Sequence, residues 1–190
     1  MDKIIEYVLN MIPYMLIVLP VYLLVRFIIV KNSCKKINWY HESGLLLLFL
    51  FIVGLLSQAV IPRIEYDSSG FRVISSGVHR TNLIPFKVFG DTYNEVFVNG
   101  NINYFLINFL GNIIMFMPVG FFNFLLWDLS YKFVIVVGFS LSFFIEFCQL
   151  FLARGTDVDD LILNTIGVIF GLLLYNVLYR KFRNFMIKFR

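Results

Sequence analysis

Residues Glu146–Gly171 read E-F-C-Q-L-F-L-A-R-G-T-D-V-D-D-L-I-L-N-T-I-G-V-I-F-G. This stretch places charged and amide side chains between two apolar segments, in a chain that is only 15% charged. These side chains are Glu146, Gln149, Arg154, Asp157, Asp159, Asp160 and Asn164. Charged groups beside apolar segments cost free energy unless they are paired. Their presence here therefore needs a structural or functional reason. The stretch is therefore the first candidate for a functional site.

The composition of the whole chain is that of an integral membrane protein. Of its 190 residues, 59% are hydrophobic and 23 are phenylalanine, and the mean hydropathy is +0.82. Soluble domains carry about 25% charged residues, well above the 15% found here. The net charge of +4 is spread along loops and the C-terminal residues rather than over one soluble face, so we expect no nucleic-acid partner.

Apolar segments long enough to cross a bilayer, which takes roughly twenty residues, occur five times. They run over about 8–30, 43–61, 103–127, 132–152 and 161–179. The sequence therefore predicts an all-α integral membrane protein, a bundle of about five transmembrane helices in the lipid bilayer. Short loops join the last three segments, which we expect to be antiparallel neighbours.

The chain divides into four predicted parts. Residues 1–62 form a two-helix membrane segment, 63–102 a long connector, 103–180 a three-helix core and 181–190 a basic tail. Connectors of this length are usually functional or mobile. Within it, Phe71–Ile74 has the pattern of a short strand, so a small hairpin or cap on the membrane surface is expected.

The distribution of Lys and Arg predicts the orientation in the membrane. Ten of these residues lie on the side of the C-terminal tail and six on the other side. The prediction is a multi-pass protein with its N-terminus outside and its C-terminus in the cytoplasm. The long connector between helices 2 and 3 and the loop before Asp157 are then extracytoplasmic.

Polar side chains of the last three segments fall at similar depths. At about 1.5 Å per residue, they lie between the outer surface and roughly 14 Å below it. They are Asn108 and Asn112 on the third segment, Glu146 and Gln149 on the fourth, and Asp160 and Asn164 on the fifth. Residues three or four apart share a helix face. The sequence therefore predicts one polar pocket in the outer half of the membrane.

The roles of these residues follow from their chemistry. Glu146, Asp157 and Asp160 are candidate catalytic acids or bases. The candidates for substrate binding include Asn108, Asn112, Gln149, Asn164, Arg80 and Arg154. Either arginine suits a phosphate or can pair with Glu146.

A structural interpretation stays open for several of them. Asparagines can link helices by hydrogen bonds, and Asp157 can be the N-cap of the fifth helix. Gly167 and Gly171 have the spacing of close helix packing. No metal site is predicted, because Cys34 and Cys148 lack the spacing of metal ligands. Nothing in the sequence indicates a cofactor.

Four motifs in order resemble the VanZ-like family, which is named for a protein associated with resistance to the glycopeptide antibiotic teicoplanin. They are N-L-I-P-F at 82–86, N-F-L-G-N-I-I-M-F-M-P-V-G-F at 108–121, Glu146 with Gln149, and R-G-T-D-V-D-D-L-I-L-N-T-I-G at 154–167. The resemblance covers about residues 80–174. It adds Asn82 to the binding candidates, and at Asp159 the family pattern is looser.

The resemblance implies a small membrane protein of the bacterial cytoplasmic membrane that acts at the cell envelope. It carries no settled biochemical activity. One hypothesis is that the pocket binds or modifies a lipid-linked or cell-wall component, in connection with teicoplanin resistance. The alternative is a scaffold or interaction subunit without catalysis, whose polar network only stabilises helix packing. Whether the protein is an enzyme stays open.

Overall fold

The computed structural model describes residues 2–33, 36–60, 63–67, 70–74, 81–151 and 155–190, without the side chains of 2–8, 63–67 and 70–74. Within these ranges, five helices are long and apolar enough to cross a membrane. The predicted all-α membrane fold is therefore confirmed.

The helices extend beyond the apolar segments at several ends. Their bounds are α1 Asp2–Asn32, α2 Trp39–Ala59, α3 Lys87–Tyr93, α4 Ile102–Tyr104, α5 Gly111–Trp127, α6 Tyr131–Leu150 and α7 Val158–Met186. The prediction for the fifth span began at 161 and ended at 179, whereas α7 is longer at both ends. The end turns of these helices contain polar residues, so a search for apolar segments does not include them. Caps and tertiary contacts nevertheless keep these turns helical.

The connector after α2 has secondary structure of its own. Strands β1, Arg63–Asp67, and β2, Gly70–Ile74, pair antiparallel with Arg63 opposite Ile74. The short strand predicted at Phe71–Ile74 lies within β2. Helix α3 continues into a π-helical turn at Asn94–Val98. Which side of the membrane the connector faces stays a prediction.

Helices α5 and α7 form the closest contact of the bundle. A Cβ atom on Gly167 would overlap the carbonyl oxygen of Ile113, and one on Gly171 would overlap that of Met117. On α5, Gly120 packs on the backbone of Val168 in α7. Glycines on both helices therefore let the two backbones touch. The predicted packing role of Gly167 and Gly171 is confirmed.

The third span is not a single regular helix. α4 passes into a π-helical segment, Phe105–Leu110, which leads directly into α5. A π-helix bonds residues five apart and so rotates side chains relative to an α-helix. Positions before 111 therefore do not keep the face that α-helical spacing predicts.

The C-terminal segment turns back onto the bundle. α7 is interrupted by non-helical backbone at Phe182, and a 3-10 turn follows at Ile187–Phe189. The side-chain amide of Asn38 donates to the carbonyls of Lys188 and Arg190 at 2.8 and 3.0 Å. The carbonyl of Phe189 lies 2.7 Å from Nδ1 of His41. The segment is thus packed against the start of α2.

Large apolar side chains cover the outside of the bundle. Examples are Ile17, Phe143 and Val177, each more than half exposed. An apolar surface of this extent fits contact with lipid tails rather than with water. Helix α1 packs on α2, and a groove of about 750 Å³ between them has mostly apolar walls.

Candidate functional site

The bundle has two ends with different chemistry. At the first, which we name the cavity end, α2 and α6 finish and α5 and α7 begin. At the opposite one, the tail end, α2 and α6 begin and the C-terminal segment is packed. The side-chain amide of Gln149 donates to the carbonyl of Ala59 at 3.2 Å, which joins the ends of α6 and α2.

A partly open cavity of about 180 Å³ lies at the cavity end. Its apolar walls include Leu55, Phe116 and Ile145. Its polar lining comes from four helices and consists of Gln58, Asn112, Glu146, Gln149, Asp160 and Asn164. Five of these six were singled out in the sequence, so the structure brings them together as depth alone predicted.

Glu146 is a buried member of this lining. Its side chain is 7% exposed, and its Oε2 accepts the backbone N–H of Asp157 at 2.9 Å. The hydroxyl of Thr156 points at the carbonyl oxygen of Glu146 at 3.5 Å. The acid therefore holds the chain where it turns from α6 into α7.

The amides of the lining are engaged through their nitrogen atoms. Asn112 donates to Oδ1 of Asp160, and Asn164 donates to the hydroxyl of Ser142 at 2.9 Å. The amide oxygens of Gln149 and Asn164 are buried and have no partner among the described residues. Asn164 is itself only 5% exposed. The cavity therefore presents hydrogen-bond acceptors.

Asp157 is the N-cap of α7 and is not among the residues that line the cavity. Its Oδ1 accepts the N–H of Asp159 and the side-chain amide of Asn82, each at 2.8 Å. The N-cap interpretation is confirmed. The same oxygen thus caps α7 and binds Asn82. This is a structural role for Asp157, separate from the candidate catalytic role.

Asp159 holds a segment that we name the strap, Thr81–Val88. The acid is 1% exposed; its Oδ1 accepts the N–H of Phe86, and its Oδ2 accepts that of Val88 at 2.8 Å. Asn82 forms a parallel bridge with Asp157. The strap is therefore fixed to the first turn of α7.

The backbone at Phe86 has a φ of 66°, in the left-handed region that non-glycine residues rarely adopt. The bond from its N–H to buried Asp159 helps to keep it there. None of the strap residues is among the described lining of the cavity. Asn82, predicted to bind substrate, is thus placed on the strap.

One further predicted residue stands apart from the cavity, and two others fall outside the part of the chain that the structure describes. Asn108 is exposed and bonds the carbonyl of Tyr104 at 3.2 Å, because the π-helical segment rotates it away from the face of Asn112. Arg80 and Arg154, the predicted cationic partners, lie outside the described residues.

Gln58 and Ser142 are not among the residues singled out in the sequence, and Asp159 is named there without an assigned role. Ser142 lies four residues before Glu146 and so on the same helix face, a signal that was available. Gln58 sits at the end of α2, at the depth of the other polar groups. Nothing in the sequence distinguishes Asp159 from the neighbouring acids, because the strap that it binds is more than seventy residues away in the chain.

The arrangement has defined chemical limits. Two carboxylates can exchange protons with a bound molecule. No group of three or more His, Cys, Asp or Glu side chains suited to a metal occurs in the described part of the chain. Of the described lining residues, none is Lys, Arg or His.

A family model described as VanZ/LLP1 matches residues 43–179. The chain belongs to the VanZ/LLP1 family. The match contains all described residues of the cavity and begins within α2, a helix that the motifs alone had left outside the VanZ-like resemblance. All of α1 and the C-terminal segment lie beyond it. Comparison with curated proteins and with solved structures gave no match.

Proposed function

We propose that this VanZ/LLP1 protein acts at the bacterial cell envelope and binds the polar head of a lipid-linked or cell-wall component in the cavity. One observation carries the proposal: Asn112, Glu146, Gln149, Asp160 and Asn164 line a single cavity at one end of the membrane helices. Polar heads of lipids lie at this depth, so a head can enter while its tail stays in the bilayer.

The proposal includes the orientation of the chain. The cavity end faces outward, the N-terminus lies outside and the C-terminus lies in the cytoplasm. The support is the charge distribution, with ten of the sixteen Lys and Arg residues on the side of the C-terminal segment. The membrane in question is the bacterial cytoplasmic membrane, as the family resemblance implies.

Binding is the core of the proposal, and modification of the bound component is an addition to it. Glu146 and Asp160 are the acids that line the cavity and can reach a bound molecule. They are the candidate catalytic groups, with Asn112 orienting Asp160 through its amide. Asp157, as the N-cap of α7, and Asn82, on the strap, support the site rather than contact the occupant.

The test is to identify the lipid that accompanies the purified protein. Wild-type protein and Glu146→Gln are purified in mild detergent, and the bound lipids are identified by mass spectrometry. We expect an envelope lipid to be enriched with the wild type and lost with the variant. The matched control is Glu95→Gln, which changes a partly exposed acid bonded to Asn99 and Asn101. Equal lipid content in all three proteins contradicts the proposal.

A scaffold function is the second candidate, and the strap favours it. Asp157, Asp159 and Glu146 all bond backbone N–H groups of the protein itself, as a purely structural network would. In that case Glu146→Gln lowers thermal stability in detergent and leaves the lipid content unchanged. Stability and lipid content measured on the same variants separate the two candidates.

We also propose that the cavity affects susceptibility to teicoplanin. Family resemblance is the support for this link. Cells that express the wild type are expected to tolerate more teicoplanin than cells that express Glu146→Gln at the same protein level. Equal tolerance contradicts the link and leaves the binding proposal to the lipid measurement.

A further inference from the structure

The described lining of the cavity offers hydrogen-bond acceptors and two acidic side chains. Carboxyl groups of Glu146 and Asp160 share one small space. The amide oxygens of Gln149 and Asn164 are buried without a partner among the described residues. Buried polar atoms are normally hydrogen-bonded, so these oxygens point to an occupant that donates hydrogen bonds.

The nitrogens of three lining amides are each already engaged by the protein. Those of Asn112, Gln149 and Asn164 each donate to an acceptor of the protein. Asn164 is the most telling, because it is 5% exposed and its nitrogen is directed to Ser142. Its oxygen is left for the cavity. The geometry is therefore that of an acceptor site built into the bundle.

The size of the cavity limits what can enter. It holds about 180 Å³, whereas pockets for drug-sized ligands are about 300 to 1,000 Å³. A whole envelope precursor does not fit. One end group of a larger molecule does, together with a few waters.

Charge selects the kind of end group. A phosphate would meet two carboxylates and, among the described lining residues, no cationic side chain. A hydroxyl donates one hydrogen bond and leaves the negative charge uncompensated. A primary ammonium group donates three hydrogen bonds and carries the opposite charge, which makes each bond stronger.

Quaternary ammonium groups and metals fit less well. A quaternary group has no N–H to give and is usually bound by several aromatic rings, whereas Phe116 is the aromatic residue in the described lining. Within the described residues, no group of three or more His, Cys, Asp or Glu is placed to hold a metal.

We propose that the cavity selects a primary ammonium group on the envelope component, held by Glu146 and Asp160 and by the amide oxygens of Gln149 and Asn164. This rests on the proposed function and narrows it: the component carries an amine that enters the bundle. A phosphate on the same molecule then stays outside the described cavity.

The test uses ethanolamine, choline and ethylene glycol as probes. All three have a two-carbon backbone with a hydroxyl at one end. At the other end ethanolamine carries NH₃⁺, choline carries N(CH₃)₃⁺ and ethylene glycol carries a second hydroxyl. Thermal unfolding of the purified full chain is measured with each probe at constant ionic strength. Ethanolamine is expected to raise the unfolding midpoint, since a ligand of the folded state stabilises it, while choline and ethylene glycol leave it unchanged.

Variants locate the effect. Glu146→Gln and Asp160→Asn are each expected to weaken ethanolamine binding about tenfold, because each removes one charged hydrogen-bond partner. Their matched controls, Glu95→Gln and Asp91→Asn, change partly exposed acids on the connector. Both controls should bind like the wild type. If Glu146→Gln does not fold, Asp160→Asn decides.

Several outcomes would overturn the inference. Equal stabilisation by choline or ethylene glycol removes the selectivity for N–H donors, and stabilisation by Na⁺ or K⁺ alone indicates a small cation site instead. Loss of an envelope lipid in Glu146→Gln without any ethanolamine effect leaves the proposed function standing and rejects the ammonium. Absence of both effects rejects both.

Discussion

The two ends of the helix bundle differ in how their charged side chains are paired. At the tail end, Arg26 bonds both carboxylate oxygens of Glu42 at 2.9 and 2.6 Å, and Arg190 lies 2.8 Å from Asp128. At the cavity end, Glu146 and Asp160 share a cavity with two amide oxygens that have no partner within the described ranges. The tail end therefore has the pairing of a structural closure, and the cavity end has capacity left for a ligand.

The largest expected effect comes from Asp159, because both of its carboxylate oxygens accept backbone N–H groups of the strap. Asp159→Ala leaves the N–H groups of Phe86 and Val88 without their acceptor. We expect the free energy of unfolding to fall by about 3 kcal/mol, since buried unsatisfied groups cost about 1 to 3 kcal/mol each. Denaturant titration in detergent measures it.

The control for this change is Asp91→Ala. Asp91 pairs with Lys87 at 3.9 Å on the exposed face of α3, where an ion pair contributes about 0 to 1 kcal/mol. Limited proteolysis of the strap should accelerate in Asp159→Ala and not in the control. A strap that stays protected in both would show that Asp159 does not hold it.

The same substitution at the two ends gives the sharpest comparison. Glu42→Gln removes the charge that faces Arg26, whose side chain is 26% exposed, and is expected to cost about 2 kcal/mol, below the range for a fully buried pair. In Glu146→Gln the amide oxygen still accepts from Asp157. We expect a loss of less than about 1 kcal/mol there. Thermal and denaturant unfolding of both variants provide the comparison.

If Glu42→Gln and Glu146→Gln lower the free energy of unfolding by the same amount, the two ends do not differ in this respect. Equal losses would favour the scaffold function, in which Glu146 is as structural as Glu42. A small loss at Glu146 together with lost lipid would strengthen the binding proposal.

A smaller effect is expected where the tail end closes on α2. Asn38→Asp keeps the side-chain oxygen that caps Tyr40 but removes the donor to Lys188 and Arg190. The expected loss is about 1 kcal/mol, the net contribution of such bonds. Unfolding midpoints in detergent report it, with Asn38→Ala, which also loses the cap, as the larger reference. An Asn38→Asp protein as stable as the wild type would show that the C-terminal segment does not depend on this amide.

The smallest effect belongs to the ion pair at the surface of the tail end. Asp128 is 65% exposed in its side chain, so its coupling with Arg190 is expected to be about 0.5 kcal/mol and to fall with added salt. A double-mutant cycle with Arg190→Gln and Asp128→Asn measures the coupling. A value above about 2 kcal/mol would require a buried pair.

Much of the fold follows from local properties of the sequence. Hydropathy locates the spans because each crosses the same apolar layer, and the glycine spacing at Gly167 and Gly171 indicates the α5 contact. The ends of α2 and α7 were misplaced, since Trp39 and Arg180 are not lipid-like. Their helical conformation depends on the Asn38 cap and on the C-terminal segment.

The sequence predicts those site residues whose position follows from their depth along a helix. It does not predict those whose position depends on tertiary contacts. Asn112, Glu146 and Asn164 converge because helices of known direction place them at one level. Asn108 does not join them, since the π-helical turn changes the residue spacing. Asp159 looked like one more acid at a helix start, and its backbone partners in the strap belong to a distant part of the chain.

The contact between Asn38 and the C-terminal segment also has a consequence for biosynthesis. The carbonyls that this amide binds belong to residues 150 and 152 positions later in the chain. A ribosome synthesises them only after the apolar parts of all five spans, so the start of α2 meets these partners late in synthesis. Closure of the tail end is thus a late step of assembly, which follows synthesis of the five spans.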